Sequence, residues 1–169
     1  MTTKPDLLAV AKLPPFLMEP LQAAFTVHTA LESAPRERVR GIVGSGESKV
    51  PAELMAQLPA LEIVSIMGVG YDGVDVAAAK ARGAVVTHTP DVLNDDVADL
   101  ALALALSIAR RLPQADRYVR AGRWASDGPM PLATKLSGAR MGIVGMGRIG
   151  QAIAHRAQAF GMSIAYTAR

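Results

Sequence analysis

Gly145, Gly147 and Gly150 stand at the spacing G-x-G-x-x-G. The four residues before them, Met141-Gly142-Ile143-Val144, read as a short strand. After them, Ile149, Ile153, Ala157 and Phe160 recur at helical intervals, so a helix is predicted over Arg148–Phe160, stopped by Gly161. Met162–Thr167 reads as the next strand. The segment is therefore a βαβ unit with its glycines in the strand-to-helix turn. Each glycine has its own physical task. Gly145 allows a tight turn, Gly147 lets the backbone approach a pyrophosphate, and Gly150 lets the helix pack close to the strand. Unpaired N–H groups and the helix dipole converge on an anion at that helix start. The motif predicts dinucleotide binding; the competing reading is a tight βα turn that binds nothing.

The cofactor type is written at the end of the second strand. An Asp or Glu about 20 residues beyond the fingerprint bonds the ribose hydroxyls of NAD. Here Tyr166-Thr167-Ala168-Arg169 occupies that place. Ala168 brings no carboxylate, and Arg169 brings a cation suited to a 2′-phosphate. NADP is expected, with NAD as the alternative.

Other chemistry is thinly represented. There is no cysteine, which excludes disulfides, thiolate metal sites and a cysteine nucleophile. The three histidines, His28, His88 and His155, are too scattered for a metal site, and no metal is expected. His28 falls in a strand, His88 at a strand end before Pro90, and His155 in a Gln151/His155 polar stripe of the helix. All three read as structural or surface residues.

The elements that must position the motif follow from apolar runs. Strands are predicted at Leu7–Ala11, Thr26–Thr29, Val39–Val43, Leu61–Met67 and Ala84–Thr87, and helices at Phe16–Phe25, Pro51–Leu58 and Val74–Ala81. Continuous apolar strands alternating with helices imply a parallel sheet covered on both faces, an α/β fold. Asn94–Leu112 reads as one long helix, capped by Asn94 or Asp95, with Arg110 and Arg111 in its last turn. It is apolar nearly all round and so is expected to be buried or sandwiched. A short helix at Gln114–Arg120 follows, and Ser126–Pro131 is the best linker candidate.

The 169 residues are about one domain's worth of chain. Hydrophobic residues make up 50% and charged residues 20%, which excludes a disordered polar chain. The net charge of +3 is spread out, with no basic run beyond Arg110-Arg111, and aromatics are 4%; nucleic acid is not an expected partner. The longest apolar stretch, Leu100–Ala109, is half of the roughly 20 residues that span a bilayer. Met1–Lys12 reads as the start of a strand, not a signal peptide, so a cytoplasmic location is expected.

Three segments together resemble one family, the D-isomer-specific 2-hydroxyacid dehydrogenases, and within it the hydroxypyruvate/glyoxylate reductase branch. They are Val69-Gly70-Tyr71-Asp72-Gly73-Val74-Asp75, then Asn94-Asp95-Asp96-Val97-Ala98-Asp99-Leu100 with Asp99 where Glu is usual, and Leu136-Ser137-Gly138 through Gly150. The resemblance covers essentially the whole chain, in order. It implies a flavodoxin-like substrate-binding domain over residues 1–92, interdomain helices and linker over 93–125, and the first part of a Rossmann domain over 126–169. It implies that Gly68-Val69-Gly70 holds a substrate carboxylate by backbone N–H groups, with Val69 and Gly70 in contact and Ser45 and Gly46 able to line the same cleft. It further implies that Arg148 and Ile149 touch the pyrophosphate through their backbone and that Val97 lies near the nicotinamide. The reaction implied is hydride transfer between NAD(P)H and a small 2-keto or 2-hydroxy acid, in a homodimer formed through the long helix. The family's Arg, carboxylate and His lie downstream of the fingerprint, so none of its catalytic residues is expected here, and the chain reads as an inactive N-terminal portion. The alternative function is a non-catalytic nucleotide-sensing or dimerisation module.

Overall fold

Residues 4–168 are described by a computed structural model. The chain divides into two units, Met1–Pro90 and Asp91–Arg169. The first contains β1 (Asp6–Ala9), α1 (Pro15–Ala24), β2 (Thr26–His28), β3 (Val39–Ser45), α2 (Ala52–Ala56), β4 (Ile63–Met67), α3 (Val76–Ala81) and β5 (Val85–Thr87). All five strands are parallel, in the order β2-β1-β3-β4-β5. That is the flavodoxin-like order, which brings the carboxyl ends of β3, β4 and β5 side by side.

Strand alternation sorts the core into two layers. Leu8, Ile42, Val64 and Ile66 point to one face and meet Val50, Met55, Leu58, Val74 and Ala79 in a fully buried cluster. Each Val, Leu, Ile or Met side chain so removed from water contributes roughly 1.5–3 kcal/mol. Ala9 and Val43 point to the other face, where α1 supplies Leu17, Met18 and Leu21. Among the described residues, that second face is only partly covered. Leu7, Gly41, Val43, Ile63 and Met67 floor an apolar groove of about 380 Å³ walled by α1, and Phe16 at its rim is 74% exposed. The expectation of a sheet covered on both faces holds for one. One helix is too narrow to roof three strands.

Asp6 is buried at the start of β1. Its carboxylate accepts hydrogen bonds from His28 Nε2 (2.7 Å) and from Arg38 Nε and Nη2 (3.1 and 2.8 Å). These bonds tie the edge strand β2 and the approach to β3 onto β1. The His28 bond, then that of Arg38, hold the carboxyl below its ordinary value, against the opposing effect of burial. The unfolded chain therefore binds the proton more readily. The stabilisation is complete above about pH 4 and disappears as pH falls through the lower, folded value. Asp6→Asn is expected to cost about 1.5–3 kcal/mol at pH 7 in urea unfolding. The gap between variant and parent should close in acid; a gap that persists at pH 2 contradicts the charge-based account.

The second unit contains α4 (Asn94–Ala109), α5 (Leu112–Arg120), α6 (Arg123–Asp127), β6 (Arg140–Val144), α7 (Arg148–Ala159) and β7 (Ser163–Thr167). β6 and β7 pair in parallel, from Arg140↔Ser163 to Val144↔Thr167. The long helix differs from its expected form in three ways. Its N-cap is Leu93, whose side chain has no acceptor to cap it, and Asn94 already lies in the helix, where its amide donates to Asp91 (2.9 Å). It ends at Ala109, not Leu112: Pro113 has no N–H to continue the ladder, and the Ala109 carbonyl accepts from Thr134 N–H (3.0 Å). Arg110 and Arg111 thus lie beyond its last turn, with Arg111 in the left-handed region at φ 55° where α5 begins.

Nor is α4 sandwiched. Ala105, Leu106 and Ala109 pack with Leu136, Ala157 and Met162, whereas Leu100, Leu104 and Ile108 are 58%, 54% and 78% exposed. Among the described residues the main helical neighbour of α4 is α7, on the side that also meets Leu136 and Met162. Arg156 on α7 reaches across to Asp95 and Asp99, one turn apart on α4, and fixes the two helices in register. The predicted linker also begins later than expected. Ser126 and Asp127 are the end of α6, which carries an Arg123–Asp127 ion pair, and the Tyr118 hydroxyl donates to Gly128 O where that helix stops.

Candidate functional site

Two glycine turns stand at the carboxyl ends of parallel strands, one in each unit. In the second unit β6 runs into Gly145, whose φ of +95° is a conformation that L side chains rarely adopt. Its N–H donates to Thr167 O (2.8 Å), which closes the turn against the end of β7. Gly147 is the N-cap of α7 and offers no side chain to the first-turn donors. Gln151 N–H is the first to find a helical partner, Gly147 O (2.9 Å). The N–H groups of Arg148, Ile149 and Gly150 are left facing the end of the helix.

The glycines divide by what a Cβ would meet. On Gly150 it would collide with the Gly145 carbonyl, so this glycine is required by helix–strand packing. On Gly147 it would meet nothing within 4 Å, so the space above the turn is open. Val144, Gly145, Met146, Gly147, Thr167 and Ala168 line the cleft over it. Uncapped donors beside open space suit a pyrophosphate, and the residues present fit a dinucleotide. The Arg148 side chain turns away to Asp91 (3.0 Å), which leaves its backbone to the cleft. Val97 is exposed on the first turns of α4, and Ala168 is exposed just past β7. Arg169 lies outside the described residues.

In the first unit the turn is Gly68-Val69-Gly70, directly after β4. Gly68 has φ +150°, and a Cβ there would lie 3.1 Å from Gly46 N. The end of β3 thus presses on this turn, and a Cβ on Gly46 would sit 3.3 Å from Gly70 O. Ser45 is held by Ser48, which accepts from its N–H (2.8 Å). From the other side the tail of β5 grips the turn. Gly68 N–H donates to Thr89 Oγ1 (3.1 Å), Thr89 N–H donates to Gly68 O (2.9 Å), and His88 Nδ1 donates to Val69 O (2.9 Å). The N–H groups of Val69 and Gly70 have no partner among the described residues. A Cβ on Gly70 would meet nothing within 4 Å.

The structure therefore brings Ser45, Gly46, Val69 and Gly70 together, and separately Gly145, Gly147, Arg148, Ile149 and Gly150. His88 and Thr89 also belong to the first group, where His88 reads from sequence as merely structural. The available signal is its place at the end of a strand next to β4, which needs the strand order to be recognised. His28 is committed to Asp6, and His155 is exposed on α7. Among the described residues no cluster of His, Asp and Glu is arranged to hold a metal, and no helix is long and apolar enough to cross a membrane.

A flavodoxin-like parallel sheet followed by a βαβ unit with a glycine turn defines a class, the two-unit α/β proteins with a Rossmann-type second unit. The chain belongs to the D-isomer specific 2-hydroxyacid dehydrogenase family, whose catalytic-domain description matches residues 8–167. It is 44% identical to 2-ketogluconate reductase of Gluconobacter oxydans, over 98% of this chain and 54% of that protein. It is 50% identical to a glyoxylate/hydroxypyruvate reductase of Arabidopsis thaliana, over 79% of this chain and 42% of that one. Among solved structures, the NADPH-dependent glyoxylate/hydroxypyruvate reductase of Sinorhizobium meliloti, in complex with NADP and malonate, superposes with a TM-score of 0.82 at 47% identity, covering 99% of this chain and 55% of that one. A 2-hydroxyacid dehydrogenase from Ketogulonicigenium vulgare gives 0.87 at 42% identity. The chain spans about half the length of these relatives.

Proposed function

We propose that this chain supplies the carboxylate-binding unit and the opening of the dinucleotide unit of an NADPH-preferring reductase of small 2-keto acids such as glyoxylate or hydroxypyruvate. A turn of unpartnered backbone donors at the carboxyl end of each parallel sheet carries the reading. Residues 1–92 serve the substrate, 93–125 connect, and 126–169 begin the cofactor unit. Val69 and Gly70 hold the substrate carboxylate through their N–H groups, against a backbone wall from Ser45 and Gly46. Gly145, Gly147 and Gly150, with the N–H groups of Arg148 and Ile149, hold the cofactor pyrophosphate. Val97 lies toward the nicotinamide, and Ala168 with Arg169 favours NADP over NAD. NADPH, when bound, supplies the hydride that reduces the keto carbon. The acid/base group and the cation that clamps the keto oxygen come from beyond residue 169. The exposed ridge Leu100–Leu104–Ile108 on α4 supports a homodimer formed through that helix.

The test is an assay of the full-length enzyme beside the 169-residue chain, each with its mass read by light scattering. The full-length dimer should reduce glyoxylate or hydroxypyruvate with NADPH, and the short chain should show no turnover. Turnover by the short chain overturns the placement of the acid/base group. A several-fold preference for NADH overturns the reading of Ala168 and Arg169.

A further inference from the structure

We infer that His88 is a positioning residue for the turn that binds the substrate carboxylate, an inference that rests on the proposed role of Val69 and Gly70. A peptide unit is planar and trans, so its C=O and N–H point in opposite directions. The carbonyl of Gly68 and the N–H of Val69 share one unit; the carbonyl of Val69 and the N–H of Gly70 share the next. Both carbonyls are turned toward the tail of β5, where Thr89 N–H takes the first (2.9 Å) and His88 Nδ1 takes the second (2.9 Å). Both N–H groups are therefore aimed away from β5, which makes a pair of donors that converges on one anion.

The two anchors are not equivalent. Thr89 holds the first unit with its own backbone, which any residue supplies. His88 holds the second with a side chain, so the aim of the Gly70 N–H depends on residue type at position 88. A carbonyl oxygen only accepts, so Nδ1 carries the proton. Tyr71 packs on the imidazole at 4.6 Å between ring centroids, tilted by 57°, and keeps the ring in place. A hydrogen bond onto the Val69 carbonyl also polarises its peptide unit and strengthens the Gly70 N–H as a donor. The ring does not itself touch the substrate in this arrangement; it acts through one peptide plane.

The experiment compares His88→Ala and His88→Asn in the full-length reductase, with glyoxylate and its carboxamide as alternative substrates. Asn places an amide N–H close to where Nδ1–H stands. His88→Ala should raise KM for glyoxylate roughly three- to tenfold, the worth of one hydrogen bond, with kcat and the KM for NADPH changed less than twofold. The carboxamide, which lacks the anion, should show no such change, and His88→Asn should restore the glyoxylate KM. Gly68→Ala, which disturbs the same turn from its backbone, serves as the reference. If Gly68→Ala raises the glyoxylate KM and His88→Ala does not, the positioning role is wrong. Equal losses on acid and amide, or a loss that Asn fails to rescue, also overturn it and leave His88 a support of the fold. If neither variant changes the glyoxylate KM, the carboxylate-turn reading itself fails, and the role of His88 with it.

Discussion

Gly150→Val is expected to abolish usable NADPH binding, raising Kd by at least about 100-fold. The reason is a collision that involves no cofactor. A Cβ at this position cannot coexist with the Gly145 carbonyl, which belongs to backbone and has no rotamer to change. The start of α7 must therefore swing away from the end of β6. The first-turn N–H groups of Arg148 and Ile149 go with it, and each hydrogen bond to a charged group is worth about 1.5–3 kcal/mol. Losing two of them accounts for the expected change in affinity. The same displacement strains packing where Gly150 and Ala157 are buried, so the melting temperature should fall as well. Gly147→Ala separates the two effects. Its Cβ meets nothing within 4 Å among the described residues, so stability should be kept while affinity drops, because the space it fills is the one a pyrophosphate needs. Isothermal titration with NADPH and a thermal melt on both full-length variants decide the matter. Parental affinity in Gly150→Val would remove the pyrophosphate from this turn.

The glycine turn of the second unit was legible in the sequence because its geometry is local. Strand, turn and helix are contiguous, and Gly145, Gly147 and Gly150 act within six residues of one another. The order of the five strands in the first unit was less so. Apolar runs at Leu7–Ala11 and Leu61–Met67 show buried strands, but neither shows which edges meet. His88 illustrates the cost. Its role depends on β5 lying next to β4, which brings residues 69 and 88 within a hydrogen bond. The end of α4 is hidden from the sequence pattern for a different reason. Periodicity runs through Arg110 and Arg111, but Pro113 cuts the ladder upstream of itself by withholding a donor from Ala109. The exposed ridge of α4 shows the same limit, since a stripe's hydrophobicity does not say whether its partner lies within the same chain.

Gly68→Ala should raise KM for the keto acid by about 30- to 100-fold while leaving cofactor affinity close to parental. Two constraints meet at this residue. Its φ of +150° falls where side chains are strained by roughly 1–3 kcal/mol. Its Cβ would also stand 3.1 Å from Gly46 N and 3.2 Å from Gly46 Cα, closer than a neighbouring backbone accommodates without shifting. Relief of either requires rotation of the Gly68–Val69 peptide, and that rotation breaks the bond from Thr89 N–H to the Gly68 carbonyl. The Val69 N–H then leaves the direction it shares with the Gly70 N–H. A carboxylate that loses one of two charge-assisted bonds and part of the other should bind about 2–3 kcal/mol more weakly. The second unit keeps its own turn intact, so the NADPH Kd should not move. This asymmetry carries the argument. A variant that merely unfolds the protein loses substrate and cofactor together, whereas one that disarms the carboxylate turn raises one constant alone. An unchanged keto-acid KM in a properly folded Gly68→Ala enzyme would show that the donors of Val69 and Gly70 serve some other ligand.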